Sequence, residues 1–392
     1  MGVVILSAKR TPVGSFGGGL RDVKATELGR TAAAAALEAA AVEKDQVDQV
    51  VFGSGGMPIA EANLARQVGL ALELPIEVPA YTVQRNCASG IQAIVSGAQE
   101  IALGEAKVVL AGGAESMSSA PYLLYGARWG MRLRHGEVRD GIWEGLTDYY
   151  TGMVMGETAE ILADDYDISR LEMDELAVQS HQKAFKASRS GRFKDEIAPV
   201  EIPSRRGEAE VIRQDEGILA GLSPERLATA PATFRKGGRV TPGNSSPLND
   251  AGAAVVLADE EWARKHDKTP IARIVSYAFS GCDPRRMGLG PVRATDMALS
   301  RAGLSLQDIG LIEINEAFAA QYLAVERELK WDREIVNVNG GALALGHPIG
   351  ATGVRLVTTL VHEMPRRSVR YGLATLCVGG GQGASIIVEV QG

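Results

Sequence analysis

Two kinds of hydrophobic run alternate along this chain. Residues 3–7 form a β-branched stretch and residues 49–53 a short apolar one, and both read as strands. Residues 26–41, rich in alanine, and residues 91–103 read as helices, and a further strand at 107–111 leads into Gly112-Gly113. This β-α-β-α order predicts an α/β fold built on a mostly parallel sheet with helices on both faces.

Beyond about residue 116 the rhythm breaks. Residues 122–150 read as irregular and hold six aromatics: Tyr122, Tyr125, Trp129, Trp143, Tyr149 and Tyr150. Two helices follow. The second opens at Ser169-Arg170-Leu171-Glu172, where Ser169 and Glu172 can each satisfy an orphan backbone N–H. A polar stretch punctuated by Gly and Pro runs on to Asn244. Loops of this length in a compact protein usually carry function, so 116–249 reads as one insertion over a binding site. The alternation then resumes, with strands at 271–280, 309–314, 372–377 and 385–390 and helices at 294–302, 317–329 and 353–364. By element order the two ends are copies of one architecture, although no sequence repeat links them. The division expected is 1–115 plus 250–269, then the insertion 116–249, then 270–392.

Charge and cysteine usage narrow the partners. A net charge of −7 over 392 residues argues against a nucleic-acid binder, which would present a basic face. No apolar run approaches the roughly 20 residues that cross a bilayer, so no membrane partner is expected. The start has no basic region ahead of its apolar run, as a secretion signal would. Three dispersed cysteines make no disulfide framework and no zinc pair, which fits a reducing cytoplasm.

The chemistry lies in four short stretches. In Asn86-Cys87-Ala88-Ser89-Gly90 an apolar approach turns into a helix. A thiolate there would meet the positive end of the helix dipole and unpaired N–H groups, both of which lower its pKa. The bland alternative is a buried structural cysteine. Gly346-His347-Pro348-Ile349-Gly350 offers an imidazole that can take the proton of a thiol or donate to a thioester oxygen. Cys377-Val378-Gly379-Gly380-Gly381 ends a strand in a glycine turn whose N–H groups can form an oxyanion hole, and its thiol can move a proton on carbon. Asn315, in Glu313-Ile314-Asn315-Glu316-Ala317-Phe318, can hold a water or simply cap the next helix.

These motifs, in this order and over the whole chain, closely resemble the thiolase family. The resemblance extends to Ser7-Ala8-Lys9-Arg10-Thr11-Pro12-Val13-Gly14 and to Asn244-Ser245-Ser246-Pro247-Leu248-Asn249-Asp250. It implies two similar halves in a five-layer αβαβα arrangement with a loop insertion, and acyl transfer between coenzyme A thioesters. Cys87 would carry the acyl group and His347 would accept its proton. Cys377 would act as acid and base, removing the α-proton of acetyl-CoA or activating the CoA thiol. One oxyanion hole would combine His347 with a water on Asn315, and the other the N–H groups of Cys87 and Gly379. Met155, Phe234, Ser246 and Phe318 match the family's CoA contacts. No cofactor is implied beyond CoA as substrate, and the partners expected are acetyl-CoA and 3-ketoacyl-CoA thioesters. The aromatic stretch 122–150 matches the family's tetramerisation loop, implying a homotetramer.

Between His181 and Val240 stand 12 Lys and Arg against 8 Asp and Glu, a net of +4 that would suit a phosphate-rich ligand. Two positions depart from the family pattern. Val154 stands where short-chain acetoacetyl-CoA thiolases carry His, which would admit longer 3-ketoacyl chains. Ala251 stands between Asp250 and Gly252 where the family commonly runs Asp-Gly directly. A condensing enzyme of the same fold would pair its cysteine with two His, or with His and Asn, rather than with Cys377. A non-catalytic thiolase-like carrier would not need Cys87, Asn315, His347 and Cys377 together.

Overall fold

A computed structural model describes residues 2–56, 59–202 and 209–390. Strands β1 (Val3–Arg10), β2 (Gln49–Gly53), β3 (Ala80–Val83), β4 (Val108–Ser116) and β5 (Asn249–Asp259) form one half-sheet in the order β3-β2-β4-β5-β1. Strands β6 (Ala272–Gly281), β7 (Leu311–Ile314), β8 (Tyr371–Val378) and β9 (Gln382–Glu389) form the other, in the order β7-β8-β9-β6.

The duplication expected from element order is written in this topology. In the first half β2 pairs parallel with β4, and β4–β5 and β5–β1 are antiparallel. In the second, β7 pairs parallel with β8, and β8–β9 and β9–β6 are antiparallel. β3, parallel to β2, is matched in the second half by a single parallel bridge between Ile312 of β7 and Val336. The halves meet edge to edge, with Val4 and Ile5 against Arg273 and Ala272. The expectation of a mostly parallel sheet is corrected, because antiparallel pairs predominate. The last strand of each half returns without a crossover helix, β9 through a tight hairpin and β5 after the insertion, and such returns are antiparallel.

The longer helices among the described residues are α1 (Ala25–Ala40), α2 (Leu64–Ala71), α3 (Ser89–Leu103), α4 (Met155–Asp165), α5 (Arg170–Arg189), α6 (Gly290–Ala302), α7 (Ala319–Leu329) and α8 (Ile349–Arg366). The period of two along each strand sorts them into layers. Val50, Phe52, Leu110 and Val256 face α1 and α2 on one side of the first half. Val51, Val109, Ala111 and Val255 face α3 and α8 on the other, in a core shared with Leu376, Ile386 and Val388 of the second half. Leu373, Cys377 and Ile387 face away from that core, toward α6 and α7. This is the five-layer arrangement, with α3 and α8 as the middle layer.

Those two helices meet backbone to backbone. A side-chain carbon at Gly90 would stand 2.7 Å from the Val354 nitrogen and 3.1 Å from the Gly350 oxygen, and one at Gly350 would stand 2.6 Å from the Ala114 oxygen. A side chain at Gly353 would run into Ile91 N. Glycine is required here for close approach, and the same approach explains Gly113, which faces the Gly350 carbonyl. The strand β4 therefore runs through Gly112-Gly113 to Ser116 instead of ending before them.

The segment between Ser116 and Asn249 lies outside the sheet. Its α4 and α5 pack on α7, and the box at Ser169 is formed, with Ser169 Oγ accepting from Glu172 N at 3.2 Å. Residues 122–150 are less irregular than expected, because Tyr122–Leu124 pairs with Val138–Asp140 and Gly141–Gly145 is a helical turn. A buried ionic knot ties the segment to β1. Arg10 donates to Glu196 at 2.7 Å and to both oxygens of Asp215 at 2.6 and 2.9 Å. Such a fork satisfies a guanidinium that burial would otherwise leave costly.

Replacing Gly90 by alanine should force the middle helices apart. The expected cost is about 1–3 kcal/mol, read as a lower thermal or urea midpoint with a loss of activity. A midpoint at or above that of the unaltered protein would contradict the contact.

Candidate active site

Cys87 sits in a tight turn between β3 and α3. Asn86 takes a left-handed conformation, φ 43°, and Ala88 N donates to the Arg85 carbonyl at 2.9 Å. Two side chains strap this turn to the β8–β9 hairpin of the other half. Asn86 Nδ2 donates to Gly379 O at 2.9 Å and Arg85 to Gln382 Oε1 at 2.9 Å, while the Arg85 guanidinium lies 4.2 Å from the centre of the Phe279 ring. The N–H groups of Gly379 and of Cys87 itself both reach the Cys87 sulfur. The turn that supplies Gly379 depends on Gly380 and Gly381, at φ 88° and 81°.

His347 is held at its backbone and at its ring. Its backbone N–H donates to Asn249 Oδ1 at 2.9 Å, and its Nδ1 lies 2.7 Å from Thr352 Oγ1. The single Thr352 hydroxyl proton goes to Pro348 O at 2.8 Å. The hydroxyl must then accept from His347, which puts the imidazole proton on Nδ1 and leaves Nε2 as a base. Burial, reinforced by the Arg355 charge, pushes the imidazole down to about 3, so the resting ring is neutral.

Asn315 directly follows β7, with its backbone donating to Thr375 O at 3.0 Å and its Nδ2 lying 3.3 Å from His347 Nε2. Its Oδ1 is buried without a protein partner among the described residues. It caps nothing, since α7 begins at Ala319 behind Phe318. Cys377 is buried at the end of β8; burial raises its thiol well above the ordinary value, and the neighbouring Cys87 sulfur raises it further. The structure thus gathers Cys87, Asn315, His347, Cys377 and Gly379 at one centre, where the starts of α3 and α8 meet the ends of β7 and β8.

The four other expected contacts form one adjoining wall. Met155 Sδ stands 3.2 Å from where a side-chain carbon at Gly379 would be. Phe234 and Phe318 make an edge-to-face pair with ring centres 6.2 Å apart, and Ser246 N donates to Ala317 O at 2.9 Å beside Phe318.

Family models describe this chain almost end to end. The thiolase N-terminal domain matches residues 3–261 and the thiolase C-terminal domain residues 268–390. The chain belongs to the thiolase family. It is 49% identical over 389 residues to an acetyl-CoA acetyltransferase of Pseudomonas aeruginosa, covering 98% of each protein. It is 47% identical over 390 residues to the human mitochondrial 3-ketoacyl-CoA thiolase, covering 99% of this chain and 98% of that one. Among solved structures, the acetyl-CoA acetyltransferase of Bacillus anthracis matches with a TM-score of 0.98 at 49% identity, over 100% of this chain and 99% of that one. The human mitochondrial 3-ketoacyl-CoA thiolase in complex with CoA matches at 0.95 and 46%, over 100% of this chain and 98% of that one.

One expectation about this thiolase chain is corrected and one is narrowed. The Cys87 thiol is not lowered. Burial pushes it up to about 11, the N–H groups of Gly379 and Cys87 offset this only in part, and the Glu115 carboxylate adds to it. The helix start is where the sequence put it, but desolvation outweighs the dipole. The positive excess of 181–240 is offset in part from outside the segment, and Arg205 and Arg206, which it counts, lie outside the described residues. Arg235 pairs with Asp164 at 2.6 Å and Glu160 at 3.3 Å, and Arg239 with Asp164, carboxylates that lie outside the segment counted. Thr352, which orients the imidazole, was missed. A threonine in a helix carries no local signal of that role.

With its thiol raised, Cys87 is overwhelmingly protonated at neutral pH, and its thiolate fraction grows as pH approaches about 11. Alkylation of Cys87 in the free enzyme, followed by peptide mass, should therefore still be accelerating between about pH 7 and pH 9. A plateau reached below pH 7.5 would mean that the dipole wins after all.

Proposed function

We propose that this thiolase transfers acyl groups between coenzyme A thioesters through a Cys87 thioester. The observation that carries the reading is the Cys87 sulfur facing two backbone N–H groups, with a second thiol beside it and the free imidazole nitrogen of His347 bonded to Asn315.

In thiolysis the Cys87 proton passes to His347 Nε2 as the sulfur attacks the keto carbon of a 3-ketoacyl-CoA. The bond between that carbon and its α-carbon breaks, and Cys377 protonates the departing acetyl-CoA enolate. Cys377 then takes the proton of a CoA thiol, whose sulfur attacks the acyl carbon, and His347 returns its proton to the departing Cys87 sulfur. Condensation is the reverse, with Cys377 removing the α-proton of acetyl-CoA. Both starting groups are neutral, so charge develops only as bonds change and must be met by fixed donors. The N–H groups of Cys87 and Gly379 serve one oxygen. Protonated His347, with a water on the unpartnered Asn315 Oδ1, serves the other.

Met155, Phe234, Ser246 and Phe318 line the approach for the pantetheine arm and acyl chain. The buried Val154, which begins α4 beside Met155, supports activity on 3-ketoacyl chains longer than acetoacetyl. We also assign a homotetramer and a cytoplasmic location. Trp129 at 84% exposure and Tyr149 fully exposed, on the aromatic segment, support the first. Three free cysteines support the second.

The test is thiolysis of 3-ketoacyl-CoAs of increasing length with CoA. Activity is expected in the unaltered enzyme, with no covalent acyl label retained by Cys87→Ser and with α-proton exchange lost more than acylation in Cys377→Ser. A labelled Cys87→Ser protein, or inactivity on every chain length, would refute the reading. Val154→His should shift the kcat/KM ratio toward acetoacetyl-CoA by about tenfold, the scale of one well-placed pocket contact. An unmoved ratio would remove Val154 from chain selection.

A further inference from the structure

Glu115 is a buried carboxylate that the acyl transfer above does not use. It ends in the layer between the two halves, 4% exposed, at the end of β4. Its Oε2 accepts from Gly55 N at 2.7 Å and Gly350 N at 2.9 Å, and its Oε1 from Gly56 N at 3.0 Å. Gly350 lies in the first turn of α8, three residues after His347. Gly55 is tied in turn to the Cys87 turn, because its carbonyl accepts from Gln84 Nε2 at 2.7 Å.

We propose that Glu115 is a positioning residue for acyl transfer, its one oxygen shared between Gly55 and Gly350 so that the segment carrying His347 is fixed against the segment carrying Cys87. The inference rests on the roles given to Cys87 and His347 above. Burial, with the Glu61 carboxylate, raises the Glu115 carboxyl above its ordinary value, and the three N–H groups oppose that rise. An ionised carboxylate suits those three donors, since it accepts at every lone pair, whereas an acid would turn an O–H toward an N–H. The start of α8 favours the negative charge further. The same charge is felt at the nucleophile, where it works against a thiolate. Among the described residues, the titratable groups facing this turn include Cys377 on β8 and His347 ahead of α8, and Arg85 in the turn itself is bonded to Gln92 and Gln382.

Two full-length variants separate reach from charge. Glu115→Asp keeps the charge and shortens the arm, and Glu115→Gln keeps the arm and removes the charge. Both should lower kcat by about tenfold or more while KM for the thioester stays within about threefold, because a small misplacement of reacting groups is felt in the chemical step. Glu115→Gln alone should speed alkylation of Cys87 at pH 8 by about threefold, which corresponds to half a pKa unit. A Gln variant with unaltered kcat, or alkylation quickened equally in both variants as in a merely loosened site, would overturn the inference. Should the Gln variant not fold, a folded Asp variant with unaltered kcat overturns it and a lowered kcat at constant KM supports it. Cys87→Ser measured alongside keeps the two ideas apart, since an active serine variant would sink the assignment of Cys87 whatever Glu115 does.

Discussion

Everything at this centre depends on two buried helices touching through glycine. α3 begins behind Cys87 and α8 behind His347, and their first turns interlock at Gly90, Gly350 and Gly353. A single methyl group between them would separate the nucleophile from its base by a sizeable part of a bond length. The middle layer of a five-layer protein has no solvent side toward which to relax, and close-packed interiors transmit such a change instead of absorbing it. Gly53 and Gly113 of the sheet likewise face the backbones of α3 and α8 where a side chain would stand, while Gly112 and Gly252 face Phe52 and the α1 backbone on the other side.

Dryness at the crossing sets the electrostatics. It drives Cys87 up and His347 down, so that both rest uncharged. A pre-formed thiolate–imidazolium pair would have a pair of ions to desolvate before any substrate arrived. Keeping both groups neutral postpones charge separation until a carbonyl oxygen is in place to receive the electrons, beside donors that are already oriented. The fixed charges nearby are each tied down. Arg355 is bonded to Glu313 at 3.0 Å, and Glu115 accepts three N–H bonds.

Much of this was legible in the chain. The strand Gln49–Gly53 and the box at Ser169 stand where local pattern put them, and the glycine turn after Cys377 has the tight backbone its composition required. What local pattern could not supply was contact. β5, buried along its whole length, begins in a polar motif and continues as an Ala- and Val-rich run with no alternation, so it gave no strand signal of its own. The antiparallel returns are a property of pairing, which no single segment encodes. The sign of the Cys87 shift turned on the mass of protein around the helix start and not on the start itself. Asn315 could be read locally as a cap, and only the neighbouring imidazole and its unpartnered oxygen distinguish it from one.

The repeated topology has a consequence for where the reactive groups sit. Cys87 stands two residues ahead of α3, which begins at Ser89, and His347 two residues ahead of α8, which begins at Ile349. Each of these helices leads into the equivalent strand of its half, β4 or β8, the one that pairs parallel with β2 or β7. Nucleophile and base therefore occupy the same seat in two copies of one architecture, brought face to face by an approximate dyad. A lone half associating with its own duplicate would already have set two identical side chains opposite each other at this spot. Fusing the copies into one polypeptide is what frees the two seats to carry different residues, so that one can give a proton and the other receive it.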